Sequence, residues 1–122
     1  MPKSDLQKIT DVAHDYYEGM IHGDRTILKR VFHPKAVVSG WVNGELAWLS
    51  RTNFIELCEG LPELSEDSEG YAFEVTSIDI VEDMANVKVF DTVDGTSYTD
   101  YLTMIKRGSR WIIANKTFHL HQ

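Results

Sequence analysis

The dipeptide Asp94-Gly95 sets the strictest condition on how this chain can fold. Two-residue hairpin turns of type I′ need positive φ at both central positions, and Asp-Gly supplies them at low cost, so the flanking runs should pair antiparallel. Turn signals at 83–84 and 108–109 extend the pattern, giving strands over 71–82, 85–93, 96–106 and 110–119. Asn43-Gly44 marks an earlier hairpin between 36–42 and 45–49. Alternation is legible in Ala85, Val87 and Val89 and in Leu102 and Met104, but Tyr101 and Ile105 are apolar on the opposite parity. Such strands need a cover on both faces. Helices supply one, and the expected second cover is another copy of the chain, a homodimer.

The first half carries helical spacing instead. Ser4 with Gln7 reads as a capping box ahead of Leu6, Ile9, Ala13, Tyr16, Tyr17 and Met20 on one face. Gly23 can end that helix in the left-handed conformation, and Asp24 can cap a second, shorter one carrying Ile27, Leu28, Val31 and Phe32. His33-Pro34 should close it, because proline biases its predecessor away from helical angles. Ser50 caps a third helix over Arg51–Glu59, stopped by Gly60-Leu61-Pro62, and the acidic stretch 63–70 reads as a loop. The expected class is α+β, in the order ααββαββββ, with helices on one face of a mainly antiparallel sheet.

Composition narrows the function classes. With 122 residues the chain is expected to form one domain, 1–122. Its 12 Lys+Arg against 19 Asp+Glu give a net charge of −7, without a basic run, so neither nucleic acid nor an anionic membrane surface is an expected partner. No apolar stretch reaches the ~20 residues of a membrane span, and MPKSDLQKIT lacks the apolar run of a signal peptide. A single cysteine, Cys58, offers no disulfide and no multi-cysteine metal site, and reads as a buried helix residue. A cytoplasmic location is the expectation. Gly-rich phosphate loops and G-x-S-x-G elbows are absent from the sequence, so no cofactor is expected.

Tyr16-Tyr17-Glu18-Gly19 followed by Gly23-Asp24, then Phe32-His33-Pro34 with Ala36, and the ending Asp100-Tyr101-Leu102 with Trp111 through His119, together resemble the nuclear transport factor 2-like superfamily. Within it the chain is similar to the branch labelled "putative lumazine-binding" and to the polyketide-cyclase-like (SnoaL-like) proteins. The resemblance implies a cystatin-like cone: a bent mixed sheet wrapped around the first helix, a pocket between them, and often a dimer through the sheet's outer face. It implies a small apolar or aromatic ligand. Since the fold hosts binders, enzymes and assembly modules, function must come from the site.

Tyr16 precedes Asp24 by the same interval as the oxyanion-binding tyrosine of ketosteroid isomerase, which makes it a candidate for the pocket. That enzyme's carboxylate base would fall near Gly40, counted from Ala36. Asp100 shares its strand face with Leu102 and Met104, where a carboxylate must be paired, hydrogen-bonded or protonated. Asn115 and Lys116 on the next strand are its nearest candidate partners. A two-residue turn at 108–109 would put Thr117 opposite Asp100, and a three-residue turn would put Lys116 there. An ion pair with Lys116 and a catalytic carboxylate are both open at this point. His33 is a third candidate for proton transfer at the pocket mouth, or a turn residue. Trp41 can stack on a flat ligand. The candidate set is therefore Tyr16, Asp100 and His33 for catalysis and Tyr16, Trp41, Asp100, Leu102 and Asn115 for binding. His119 and His121 share a strand face without visible further ligands, so no metal is expected. Three functions fit: a small-molecule binder, a cofactor-free lyase, isomerase or cyclase using Tyr16 and Asp100, or an assembly module with a vestigial pocket.

Overall fold

A computed structural model describes residues 2–64 and 68–122. Among them, α1 (Asp5–His22), α2 (Arg25–Val31), β1 (Phe32–Val42), β2 (Glu45–Ser50), α3 (Arg51–Glu59), β3 (Ala72–Val81), β4 (Met84–Val93), β5 (Thr96–Arg107) and β6 (Arg110–His121) follow in the expected order. The strands form one sheet in the order β2-β1-β6-β5-β4-β3, with β1 parallel to β6 and the other pairs antiparallel. This is an α+β fold with a mixed, open sheet.

Local chemistry accounts for most element ends. Ser4 accepts from the Gln7 amide, Asp24 from that of Ile27 and Ser50 from that of Asn53, each satisfying an amide the helix leaves unpaired. Gly23 sits at φ 58°, ψ 38°, closing α1 with bonds back to Gly19 and Met20. Asn43 and Gly44, like Asp94 and Gly95, have positive φ, as type I′ hairpins require.

Several boundaries differ from the sequence expectation. β1 begins at Phe32, because Phe32 pairs with Ile113 before the register jumps to Val37 opposite Asn115. Residues 33–36 are thus carried along the strand as a bulged segment. The β3–β4 turn is Glu82-Asp83 rather than 83–84, with Glu82 at φ 51° and Val81 paired to Met84. β6 runs on to His121 because Ser97 pairs with it. Of the expected loop 63–70, residues 65–67 lie outside the described residues, and Ser68–Gly70 makes one 3-10 turn.

The core lies between α1 and the inner face of the sheet. Ile9, Ala13 and Tyr16 from α1 are fully buried against Val87, Val89, Leu102, Met104 and Ile113, and Leu28, Phe54 and Ile55 close the layer. Each fully buried aliphatic side chain contributes about 1.5–3 kcal/mol relative to exposure. The outer face keeps Trp41, Leu46, Trp48, Phe90 and Tyr101 partly or largely exposed. No helix among the described residues is long and apolar enough to cross a membrane.

Candidate functional site

A cavity of about 490 Å³ opens between the C-terminal end of α1, α3 and the inner face of the sheet. That volume lies within the range of small-molecule sites, ~300–1,000 Å³. Its walls are apolar, supplied by Met20, Leu49, Phe54, Val93 and Phe118 among others, and Leu57, Leu61 and Leu64 contribute exposed apolar surface. Of the charged residues that line it, Asp94 is exposed, whereas Asp91 and Lys116 are buried.

Asp91 belongs to the inward parity of β4, following Val87 and Val89. Val89 pairs with Asp100 and Asp91 with Tyr98, so the two aspartates are diagonal neighbours on one face. Asp91 is completely buried and Asp100 is 1% exposed. Tyr16 Oη, itself fully buried, donates to Asp100 Oδ2 at 2.8 Å. With both carboxyls ionised, Asp91 Oδ1 and Oδ2 and Asp100 Oδ1 would have no donor. A single proton held between the two carboxyls would join Asp91 to Asp100 and leave one Asp91 oxygen without a protein donor. Burial, then the charge of Asp100 and the hydrogen bond to it, push the Asp91 carboxyl up to about 9, against an opposing pull from Lys116. At neutral pH the proton therefore resides on Asp91, the member of the pair that reaches the cavity. Tyr16 is pushed far above the ordinary phenol range by burial and by the two aspartates, so it stays a neutral donor.

Lys116 reaches the same end of the cavity by an irregularity of β6. Arg107 pairs with Arg110, so the β5–β6 turn has two residues, yet Asp100 faces Phe118 and Leu102 faces Lys116. The cause is a bulge: Met104 pairs with Ile113 and Thr103 with Asn115, leaving Ala114 as an extra residue. One inserted residue exchanges the faces of everything after it, since side chains alternate with a period of two. Neither Thr117 nor Lys116 thus stands opposite Asp100, contrary to both sequence alternatives. Beyond the bulge Lys116 turns inward and Asn115 outward. The Lys116 ammonium sits 4.9 Å from the ring centre of Tyr16, 4.6 Å from Phe54 and 5.1 Å from Phe118, and 3.9 Å from Met20 Sδ. Among the described residues no carboxylate closes an ion pair with it, so the pair with Asp100 is not formed.

Tyr16, Asp100 and Leu102 are all buried, with Tyr16 bonded to Asp100, but none of the three lines the cavity. Trp41 and Asn115 lie elsewhere. Trp41 is 48% exposed on the outward parity of β1, and the outward Asn115 spends its Oδ1 on the Val37 amide at 3.3 Å. His33 lies in the bulged segment, where its Nδ1 accepts from the Lys35 amide. His119 and His121 are on the outer face, and among the described residues no three His, Cys, Asp or Glu side chains gather as a metal would need. At Gly40, near which the isomerase base would stand, an added Cβ would lie 2.2 Å from the Phe118 carbonyl oxygen and 2.6 Å from its ring. Phe118 fills that space. Sequence reasoning missed Asp91, though its parity with Val87 and Val89 was a usable signal. The inward turn of Lys116 had no signal, since nothing in residues 110–119 announces a bulge.

These features can be compared with known proteins. The family model described as "Putative lumazine-binding" matches residues 4–119. The chain belongs to this family. The putative lumazine-binding chain is also 28% identical over 121 residues to a protein from Cladobotryum sp named aldolase FrzH, spanning 95% of this chain and 91% of that one. A solved NTF-2 like protein of unknown function from Silicibacter pomeroyi DSS-3 superposes with a TM-score of 0.87, at 29% identity over 95% of each chain. A cystatin-like fold protein from Burkholderia xenovorans LB400 gives 0.69 at 15% identity, over 94% of this chain and 90% of its own, a likeness of fold alone. The fold is that of the nuclear transport factor 2-like superfamily.

Proposed function

We propose that this protein binds a small, mostly apolar molecule bearing a carbonyl group and moves a proton on it without a metal or cofactor. The observation that carries the reading is the buried pair of neighbouring carboxyls, Asp91 and Asp100, of which Asp91 lines an apolar cavity. An outer Asp91 oxygen without a protein donor can take a proton from the carbon beside the ligand carbonyl while the inner proton of Asp91 passes to Asp100. Tyr16 holds Asp100 in place throughout, and Lys116 supplies positive charge where the enolate oxygen develops. The pair then returns the proton to the same or another carbon. Tyr16 and Asp100 thus act through Asp91, which meets the ligand. The aldolase name of the Cladobotryum relative supports this reading, because an aldol reaction also passes through an enol or enolate.

The working unit in this reading is a homodimer in the cytoplasm. Trp41, Leu46, Trp48 and Tyr101 lie on the outer face of the sheet, and a second copy would remove them from water.

Cyclohexanone and 2-tetralone in D₂O test the activity, with α-proton exchange and amide shifts both followed by NMR. The expected result is shifts at cavity residues and exchange accelerated by the wild type, with Asp91→Asn losing about 10²–10⁴-fold while still binding. Binding without accelerated exchange would leave a binder only, and absence of both would overturn the reading.

A further inference from the structure

We propose that Lys116 is a nucleophile that joins the carbonyl carbon of the ligand as an imine. The inference rests on the cavity being the ligand site and deepens that reading from electrostatic to covalent chemistry. Lys116 is 5% exposed, lines the cavity, and is held by rings and a thioether rather than by an ion pair. A lysine serving only as a structural counter-ion would be expected to sit against a carboxylate, because a buried charge is costly unless paired and hydrogen-bonded. Here the aspartates are paired with each other and with Tyr16 instead, and the amine is left facing the cavity. A desolvated amine in an apolar pocket that also holds a carboxyl is an arrangement in which lysine attacks carbonyls. Cys58 also lines the cavity, with burial pushing its thiol up to about 11, and a thiol cannot form an imine.

The step balances within the site. The Lys116 ammonium gives one proton to the aspartate pair, relayed by water because no carboxylate stands within ion-pair distance of it, and the freed amine forms a C–N bond to the carbonyl carbon. The pair protonates the resulting alkoxide to give a carbinolamine. A second proton leaves nitrogen through the same pair, the C–O bond breaks, and water departs. Ketone plus ammonium becomes iminium plus water, with no change of oxidation state and the positive charge kept on nitrogen. The iminium then withdraws electrons from the neighbouring carbon, which the aspartate pair deprotonates.

The test treats the full chain with cyclohexanone and sodium cyanoborohydride, followed by intact mass and peptide mapping. The expected result is one adduct, of the ketone's mass less one oxygen, on Lys116 and not on the exposed lysines. Lys116→Arg keeps the charge, and Lys116→Met keeps the packing and removes it. Both should fold, by thermal unfolding and amide spectra, lose the adduct, and lose α-proton exchange to the level of free ketone. Cavity shifts and exchange without an adduct on Lys116, or exchange retained by Lys116→Arg, would overturn the covalent role while leaving proton transfer intact. Absence of cavity shifts in the wild type would overturn both.

Discussion

Tyr16 and Asp100 are 84 residues apart in sequence and joined by a 2.8 Å hydrogen bond in the buried centre of the protein. The bond ties α1 to β5 and holds Asp100 next to Asp91, which lines the cavity. Replacing the hydroxyl, Tyr16→Phe, leaves the ring in place and Asp100 Oδ2 without the donor that Tyr16 supplies. The expected loss is about 1–3 kcal/mol, the penalty of an unsatisfied buried acceptor, read by urea unfolding. An unchanged midpoint would show that Asp100 keeps a donor without Tyr16.

Stability should fall as pH rises. Asp91 is raised from 3.8 to about 9 in the folded protein, so between those values the native state holds a proton that the unfolded chain has released. The titratable groups that interact with it are Asp100, Tyr16, Tyr17, Tyr98 and Lys116, of which Lys116 alone lowers it. Exposed Asp5, Asp11 and Glu59, each held low by hydrogen bonds, act in the opposite sense only at the acid end. The melting temperature is expected to decline steadily from about pH 5 to about pH 9, and Asp91→Asn should flatten that slope. A parallel slope in the variant would place the proton elsewhere.

Gly40→Ala should be among the most damaging small substitutions in the chain. Its Cβ would stand 2.2 Å from a backbone oxygen of the paired strand, which a rotamer change cannot relieve. Overpacking of this kind costs about 1–3 kcal/mol or more. Gly44→Ala is the control, since nothing lies within 4 Å of its Cβ, and only the positive φ of 84° opposes it. Equal melting temperatures for the two variants would contradict the close approach of Phe118.

The dimer can be tested on the outer face. Light scattering is expected to give twice the 14.0 kDa of the chain. Trp48→Glu, at a residue 68% exposed in the single chain, should return it to the monomer with little change in fold. A wild type that scatters as 14.0 kDa at micromolar concentration would remove the dimer from the reading.

What the sequence by itself determined are the features governed by neighbours along the chain. Ser4, Asp24 and Ser50 start helices because their oxygens reach amides three residues on, and Gly23, Asn43-Gly44 and Asp94-Gly95 turn the chain because of their own dihedral preferences. The inward parity of Asp100 followed from its spacing to Leu102 and Met104, and the order of elements followed from those signals together. Only the tertiary structure decided the site. The extra residue at Ala114 arises where β6 must pair with β5 on one side and with the irregular start of β1 on the other, and it alone turns Lys116 inward and Asn115 outward. The burial of Asp91 beside Asp100 likewise depends on cross-strand register and on the helices packed over that face. A carboxyl's protonation and a lysine's partner are set by what surrounds them in space, and those surroundings come from strands and helices far apart in the chain.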